Sequence, residues 1–410
     1  MNLSTTLHSK ATCLTALLLA LPALAHAQDG ATPVPLRDES PHEQLAHPLT
    51  LEHAEPDVEV GFTPDDGAYV RTPDRAWSLR VGLLVQMRYQ LSSTPDPTQE
   101  STFVVRMVRP ALRGTVLAPW IRFFVQPELA GPSARLLDLE VDLVPHEAIG
   151  LRVGQFLTPF SRTFTTPVPR LLFPDFAQAN EVFRADRDTG AMLHGAPFAG
   201  VLEYAVGVFD GNRIDRGGND DERMMYMARV AVSPLGAVSA DETPHLGAHT
   251  PFRFSVGANG YLGETTLVET ATDPVTGASV TTRTLEENQT AGADLQIRWE
   301  TLVLQAELYY RATHLADGTE RDAIGGYAHA AWMFFWPWLD VAARVSVVDS
   351  DLGSAADLQT VYEAMVTFYA LGNHLKLSLR YAAATSERAQ PMIVAGATVH
   401  SGTAQLQLQF

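Results

Sequence analysis

The chain has 410 residues, 46% of them hydrophobic and 19% charged, a formal net charge of -18 and a single cysteine. That acidity argues against a nucleic-acid partner, which requires a basic face, and one cysteine excludes a disulfide framework. A soluble core and a barrel have compatible compositions, so periodicity has to decide between them.

Lys10 precedes an apolar run from Leu14 to Leu24 and the small-residue site Ala25-His26-Ala27, the layout of a cleavable secretory signal over residues 1–27. The run is too short to span a bilayer and contains Pro22, which argues against an anchor. Cys13 lies inside it, so the mature product, beginning near Gln28, is expected to have no thiolate site. Residues 28–66 are rich in Pro, Asp, Glu and His without strand periodicity, and are expected to form a mobile periplasmic leader. Within them His42 and His47 are five positions apart, off a common helical face, so no metal site is expected.

Residues 67–410 carry a different pattern. Trp77, Leu79, Val81, Leu83, Val85, Met87, Tyr89 and Leu91 share one parity, and Arg80, Gln86, Arg88 and Gln90 the other. A strand has period two, so this segment has an apolar face and a polar one. The alternation recurs near 102–117, 120–130, 134–143, 148–156, 189–197, 201–209, 223–234, 251–262 and 291–300, and again near 301–312, 323–335, 338–348, 360–370, 374–383 and 402–410. Leu137, Leu139, Val141 and Leu143 against Asp138, Glu140 and Asp142 give the clearest case. The expected fold is all-β: a transmembrane antiparallel barrel of about sixteen strands, apolar side outward and polar side toward a wet lumen.

Connections alternate between tight links, such as Ala118-Pro119, Trp336-Pro337 and Gly372-Asn373, and longer ones, such as 92–101, 157–188 and 384–401. That asymmetry is expected of outer-membrane barrels. Two links depart from it, a short one near Gly131 and a long one at 235–250, and both read as ordinary variation in loop length. Aromatic residues near strand ends, including Trp77, Trp120, Trp299, Tyr310, Trp336 and Trp338, fit interfacial girdles. The acidic stretch Asp210–Glu222 reads as a solvated cluster or a divalent bridge to lipopolysaccharide, and the Thr-rich stretch Glu264–Asn288 as a loop over the mouth or a mobile one.

The segments VRMVRPALRGTV (Val105–Val116), RLLDLEVDL (Arg135–Leu143), LRVGQFLTPFSRTF (Leu151–Phe164), RDTGAMLHG (Arg187–Gly195), YAVGVFDGN (Tyr204–Asn212) and the terminal LQLQF resemble the phosphate-selective porin O and P family over roughly residues 60–410. The resemblance implies a sixteen-stranded outer-membrane porin of a Gram-negative bacterium, usually a homotrimer, whose third extracellular loop folds inward and narrows the pore. Phosphate-selective members use lysines near the constriction. The mature chain here has one lysine, Lys376, so the substrate name does not transfer.

The function expected is passive diffusion of small hydrophilic solutes, with small anions such as phosphate among the candidates, and lipid and lipopolysaccharide as surroundings. Arg162, Arg170, Arg184, Arg187 and Asp188 in the third-loop segment are the candidates for the constriction. Arg80, Arg88, Arg109, Arg113, Arg122, Asp138, Glu140, Asp142, Arg152, Arg229, Arg253, Arg298, Arg344 and Arg380 have the polar parity expected of the lumen wall. Arg suits phosphate and carboxylate through its permanent charge and planar donor fork. The rival class is a barrel without a conducting pore, an adhesin or a barrel enzyme. With no Gly-x-Ser-x-Gly elbow, phosphate-cradling Gly loop or metal-spaced His or Cys cluster, neither enzymatic activity nor a cofactor is expected.

Overall fold

The computed structural model describes residues 58–93, 99–211, 213–214, 219, 223–244, 250–272, 279–388 and 395–410. The expected signal segment, most of the leader with its His42 and His47, and much of Asp210–Glu222 lie outside them. A short antiparallel hairpin comes first, β1 (Glu59–Thr63) and β2 (Gly67–Arg71). The leader was expected to lack strand order up to residue 66, yet β1 begins at Glu59. Alternating Val60 and Phe62 give this piece its β character.

The barrel is built from β3 (Ser78–Ser93), β4 (Gln99–Val116), β5 (Ala118–Glu128), β6 (Arg135–His146), β7 (Ile149–Leu157), β8 (Arg187–Gly195), β9 (Leu202–Phe209) and β10 (Met225–Val232). It continues through β11 (Thr250–Thr272), β12 (Ser279–Glu300), β13 (Leu302–Leu315), β14 (Glu320–Phe335), β15 (Leu339–Asp349), β16 (Gln359–Tyr369), β17 (Leu375–Ser386) and β18 (Thr398–Gln409). Each strand pairs antiparallel with the next, and β18 returns to β3 from His400↔Ser93 to Gln409↔Leu84. Closure leaves no unpaired edge, which a bilayer requires.

The burial pattern is inverted relative to a soluble protein. Leu379 and Trp332, on the outer face, are each 54% exposed, whereas Gln305 and Asp340, on the inner face, are 2% and 0% exposed. Strand β15 alternates strictly, with Asp340, Ala342, Arg344 and Ser346 turned inward and Val341, Ala343, Val345 and Val347 outward. All six tryptophans lie near the rim that holds Ser78 and Phe410, while Tyr89, Phe103, Tyr226, Tyr362 and Tyr381 are exposed toward the opposite rim. These are two aromatic girdles of different composition.

Two connections depart from expectation. The stretch Glu264–Asn288 is not a loop over the mouth: β11 and β12 continue their ladder up to Thr272↔Ser279. Its β-branched residues sustain strand geometry, and beyond the bilayer no face needs to be apolar, which erases the alternation. The β10–β11 connection lies at the rim of short turns but is long, and its described part, residues 233–244, runs inward.

Candidate pore constriction

The third loop, residues 158–186, leaves β7 and fills one side of the lumen. It contains α1 (Arg162–Thr165), a 3-10 turn over Val168–Arg170 and α2 (Gln178–Phe183). Prolines 159, 167, 169 and 174 fix its backbone angles in and around these turns. Ser161 has a positive φ of 67°. Its side chain accepts hydrogen bonds from Phe164 N (3.2 Å) and Asn180 Nδ2 (2.5 Å), which offset that strain.

Aromatic packing seats the loop on the inner wall. Phe160 and Phe183, both fully buried, meet Tyr309 with ring centroids 5.7 and 5.5 Å apart, in a cluster with Phe156, Phe209, Met225 and Met227. Leu172 and Phe173 pack on Ala331, Ala342 and Met365. Burial of each phenyl ring contributes about 1.5–3 kcal/mol, so these contacts decide where the loop lies.

Polar anchors fix its height. Glu307 accepts from the backbone N–H groups of Arg162 (2.9 Å) and Thr163 (2.8 Å) and from the hydroxyls of Tyr309 (2.9 Å) and Tyr327 (2.6 Å). Asp294 receives Arg162 Nε at 2.6 Å and Arg229 Nη1 at 2.5 Å. Lys376 donates to the carbonyls of Pro169 (2.9 Å) and Leu171 (3.1 Å). Asp175 accepts from Arg88 at 2.9 Å and Arg380 at 2.8 Å, with Arg106 at 3.9 Å. Burial pushes the Asp175 carboxyl upward, but Arg88 and Arg380 outweigh it and hold the group below its usual range. Glu181, on α2, is pushed above that range, first by burial and then by Asp175 and Asp186 against the opposing Arg184.

From the other rim, the β10–β11 connection reaches the same loop. The carbonyls of Asp241 and Thr243 accept from Arg298, Gln296 Nε2 reaches Asp241 O at 3.0 Å, and Asn373 Nδ2 reaches Thr243 Oγ1 at 3.2 Å. Glu242, 1% exposed, accepts from Leu172 N (3.1 Å), Gln305 Nε2 (3.1 Å) and Thr163 Oγ1, and its own N–H donates to Arg170 O (3.1 Å). Burial raises its carboxyl pKa despite these donors.

The sequence-derived candidates therefore fall into two sets. Arg162, Arg229, Arg298 and Arg344 lie behind or beneath the loop; Arg344 pairs with Glu363 and Arg162 with Asp294. Arg253 donates to Leu235 O (3.0 Å), and Asp188 accepts from Gly211 N (2.7 Å). The other set faces the side that the loop leaves open. There Arg80 and Arg113 are cross-strand neighbours, and Arg122 is opposite Asp142. Arg80 pairs with Asp66 at 2.7 Å, Arg109 with Glu128 at 2.7 Å, Arg152 with Asp142 at 2.7 Å and Glu140 at 3.4 Å, and Arg187 with Asp138 at 2.9 Å. From the loop itself come Arg170, 3.3 Å from Asp241, and Arg184, 2.9 Å from Glu181. Sequence reasoning did not single out Asp175 or Glu242, because nothing in a loop sequence says which wall it will touch. Among the described residues no cluster suited to a metal is present.

A closed sixteen-stranded cylinder with a greasy exterior, a charged interior and an inserted loop is an outer-membrane diffusion channel. The model of the family described as phosphate-selective porin O and P matches residues 79–410, and the chain belongs to that family. Among solved structures it is similar to an anion-selective porin from Comamonas acidovorans (TM-score 0.58, 13% identity, 82% of this chain and 100% of that one). It is also similar to the trimer form of OmpT from Vibrio cholerae (0.56, 10%, 81% and 99%) and to Salmonella typhi OmpF in complex with daunomycin (0.53, 14%, 82% and 98%). At such identities the likeness is one of fold. No curated protein matches the sequence.

Proposed function

We propose that this porin passes small anions by diffusion along the side of the lumen walled by β3 to β7, with the third loop as the opposite bank. One observation supports the reading: Arg80, Arg88, Arg106, Arg109, Arg113 and Arg122 belong to β3, β4 and β5, whose described side chains include Glu128 as the one carboxylate. Ion selectivity in a wide pore follows the sign of the charges at the narrow zone. Arg170, Arg184 and Arg187 contribute from the loop and its exit, and the carboxylates of β6 balance part of the charge. The same reading takes the signal as cleaved near Ala27, the oligomer as a homotrimer like the trimeric relative in fold, and the outer surface as covered by lipid and lipopolysaccharide. No catalysis is assigned. The test is the reversal potential of the purified mature protein in planar bilayers under a KCl gradient. Anion preference is expected, reduced when Arg80, Arg113 and Arg122 are replaced together by Gln. A cation-selective wild-type channel overturns the assignment.

A further inference from the structure

A connection between neighbouring antiparallel strands needs only about two to five residues. The β10–β11 connection is far longer, and its described part, residues 233–244, does more than join two strands. It starts between β10 and β11 and reaches Asn373 in the turn between β16 and β17, so it passes beneath the third loop across a wide arc of the barrel. Along this path it touches the loop repeatedly. Thr166 Oγ1 donates to Ala240 O (3.1 Å), Arg170 pairs with Asp241 (3.3 Å), Glu242 N donates to Arg170 O (3.1 Å), and the Glu242 carboxylate collects Thr163 Oγ1 and Leu172 N. On the wall side, Arg298, itself 4% exposed, grips the connection through hydrogen bonds to the Asp241 and Thr243 carbonyls.

The physical demand behind this arrangement is clear. Residues 163–172 of the loop are mostly turns and short helix, and they contain backbone groups that a lumen full of water would otherwise solvate. A buried carboxylate surrounded by donors is favourable only when those donors stay in place. Glu242 therefore ties its own stability to one position of the third loop. Its donors come from two separate parts of that loop, Thr163 in α1 and Leu172 after the 3-10 turn, and from Gln305 on the wall. Fixing both parts at once determines how far the loop projects into the lumen.

We infer that residues 233–244 of the β10–β11 connection form a strut that holds the third loop at a fixed projection and so sets the bore, with Glu242 as the positioning residue. This rests on the diffusion-channel reading above. The mature protein, whose sequence after the signal contains no cysteine, permits a reversible test. In planar bilayers Glu242→Ala is expected to replace one conductance level by several, with time-averaged conductance changed at least twofold. Adding Ala240→Cys and Thr166→Cys to that variant is expected to restore the single level under oxidation and to lose it again with dithiothreitol. Arg298→Gln, which loosens the connection and removes none of the hydrogen bonds between Glu242 and the loop, is expected to give the same multiplicity, and it serves if the first variant does not fold. A folded variant of either kind with a single wild-type level overturns the inference, as does failure of the oxidised cross-link to restore that level. A wild-type protein that carries no current refutes the channel reading instead, so the two failures are distinguishable.

Discussion

Replacing Asp175 with Asn tests whether the loop's charge or its mere presence shapes selectivity. The carboxylate sits on the loop's open side, with its side chain 32% exposed, bound by Arg88 and Arg380. Because it is about one-third in contact with water, its ion pairs contribute at most about 1 kcal/mol to docking, well below the burial of Phe160 and Phe183. Asn preserves the shape and one acceptor oxygen, so the loop is expected to stay in place. What changes is the field. A unit charge acts on an ion about 4 Å away in water with about 1 kcal/mol, roughly a fivefold change in local concentration for each sign of ion. Anion preference in Asp175→Asn is therefore expected to rise several-fold at 0.1 M KCl and to shrink toward the wild-type value at about 1 M, where the Debye length is about 3 Å. Reversal potentials at both salt concentrations measure this. An unchanged potential at low salt, or a shift toward cations, refutes the argument that this carboxylate borders the conduction path.

Glu181 protonates above the ordinary carboxylate range, so anion preference is expected to gain a step as pH falls through that raised value, and Glu181→Gln should remove that step from a pH series of reversal potentials. Asp175 behaves oppositely: its lowered pKa keeps the ion pairs present above the unfolded value of about 3.9, and they are lost only as pH falls through the lower folded value, so reversal potentials should show no Asp175 step above about pH 4. Asp294→Ala leaves Arg162 and Arg229 buried without their shared counter-charge, and a loss of about 3–5 kcal/mol is expected from urea unfolding in lipid vesicles. Val141→Arg places a charge on the outer face near mid-strand and is expected to cost about 2–4 kcal/mol by the same measurement, whereas Glu140→Gln on the inner face should cost much less.

The barrel was legible in the sequence because lipid imposes a rule at every second residue. Leu139 and Val141 against Asp138 and Glu140 already state which side is wet. The same rule fails beyond the bilayer, which is why β11 and β12 run further than the alternation suggested. It fails inside the lumen as well, where arginines on the wall and in the loop meet different fates. Arg162 meets Asp294 across 132 residues of chain, and Arg113 donates to the carbonyl of Asp65 across 48. Only closure of the cylinder determines such partners. The position of the third loop could be read from its length, its prolines and its phenylalanines. The inward path of residues 233–244 could not, because a long link looks alike whether it hangs outside or turns in.

The first hairpin has its own consequence for assembly. Strand β4 occupies one edge of β3 along its whole length, so β2 and β18 must share the other, β2 against residues 78–81 and β18 against 84–93. The junction is tight: a side chain at Gly82 would come within 2.8 Å of the Phe410 carbonyl, and the Phe62 ring packs against that of Phe410 in a tilted contact, centroids 5.7 Å apart. The hairpin acts as a ruler's end. Sliding the closing strand toward it by two residues, the smallest slip that keeps oily groups outward, would drive the terminal phenylalanine into ground already taken. The seam of the cylinder is thus barred from slipping in that direction by ten residues that are not among the sixteen strands of the barrel.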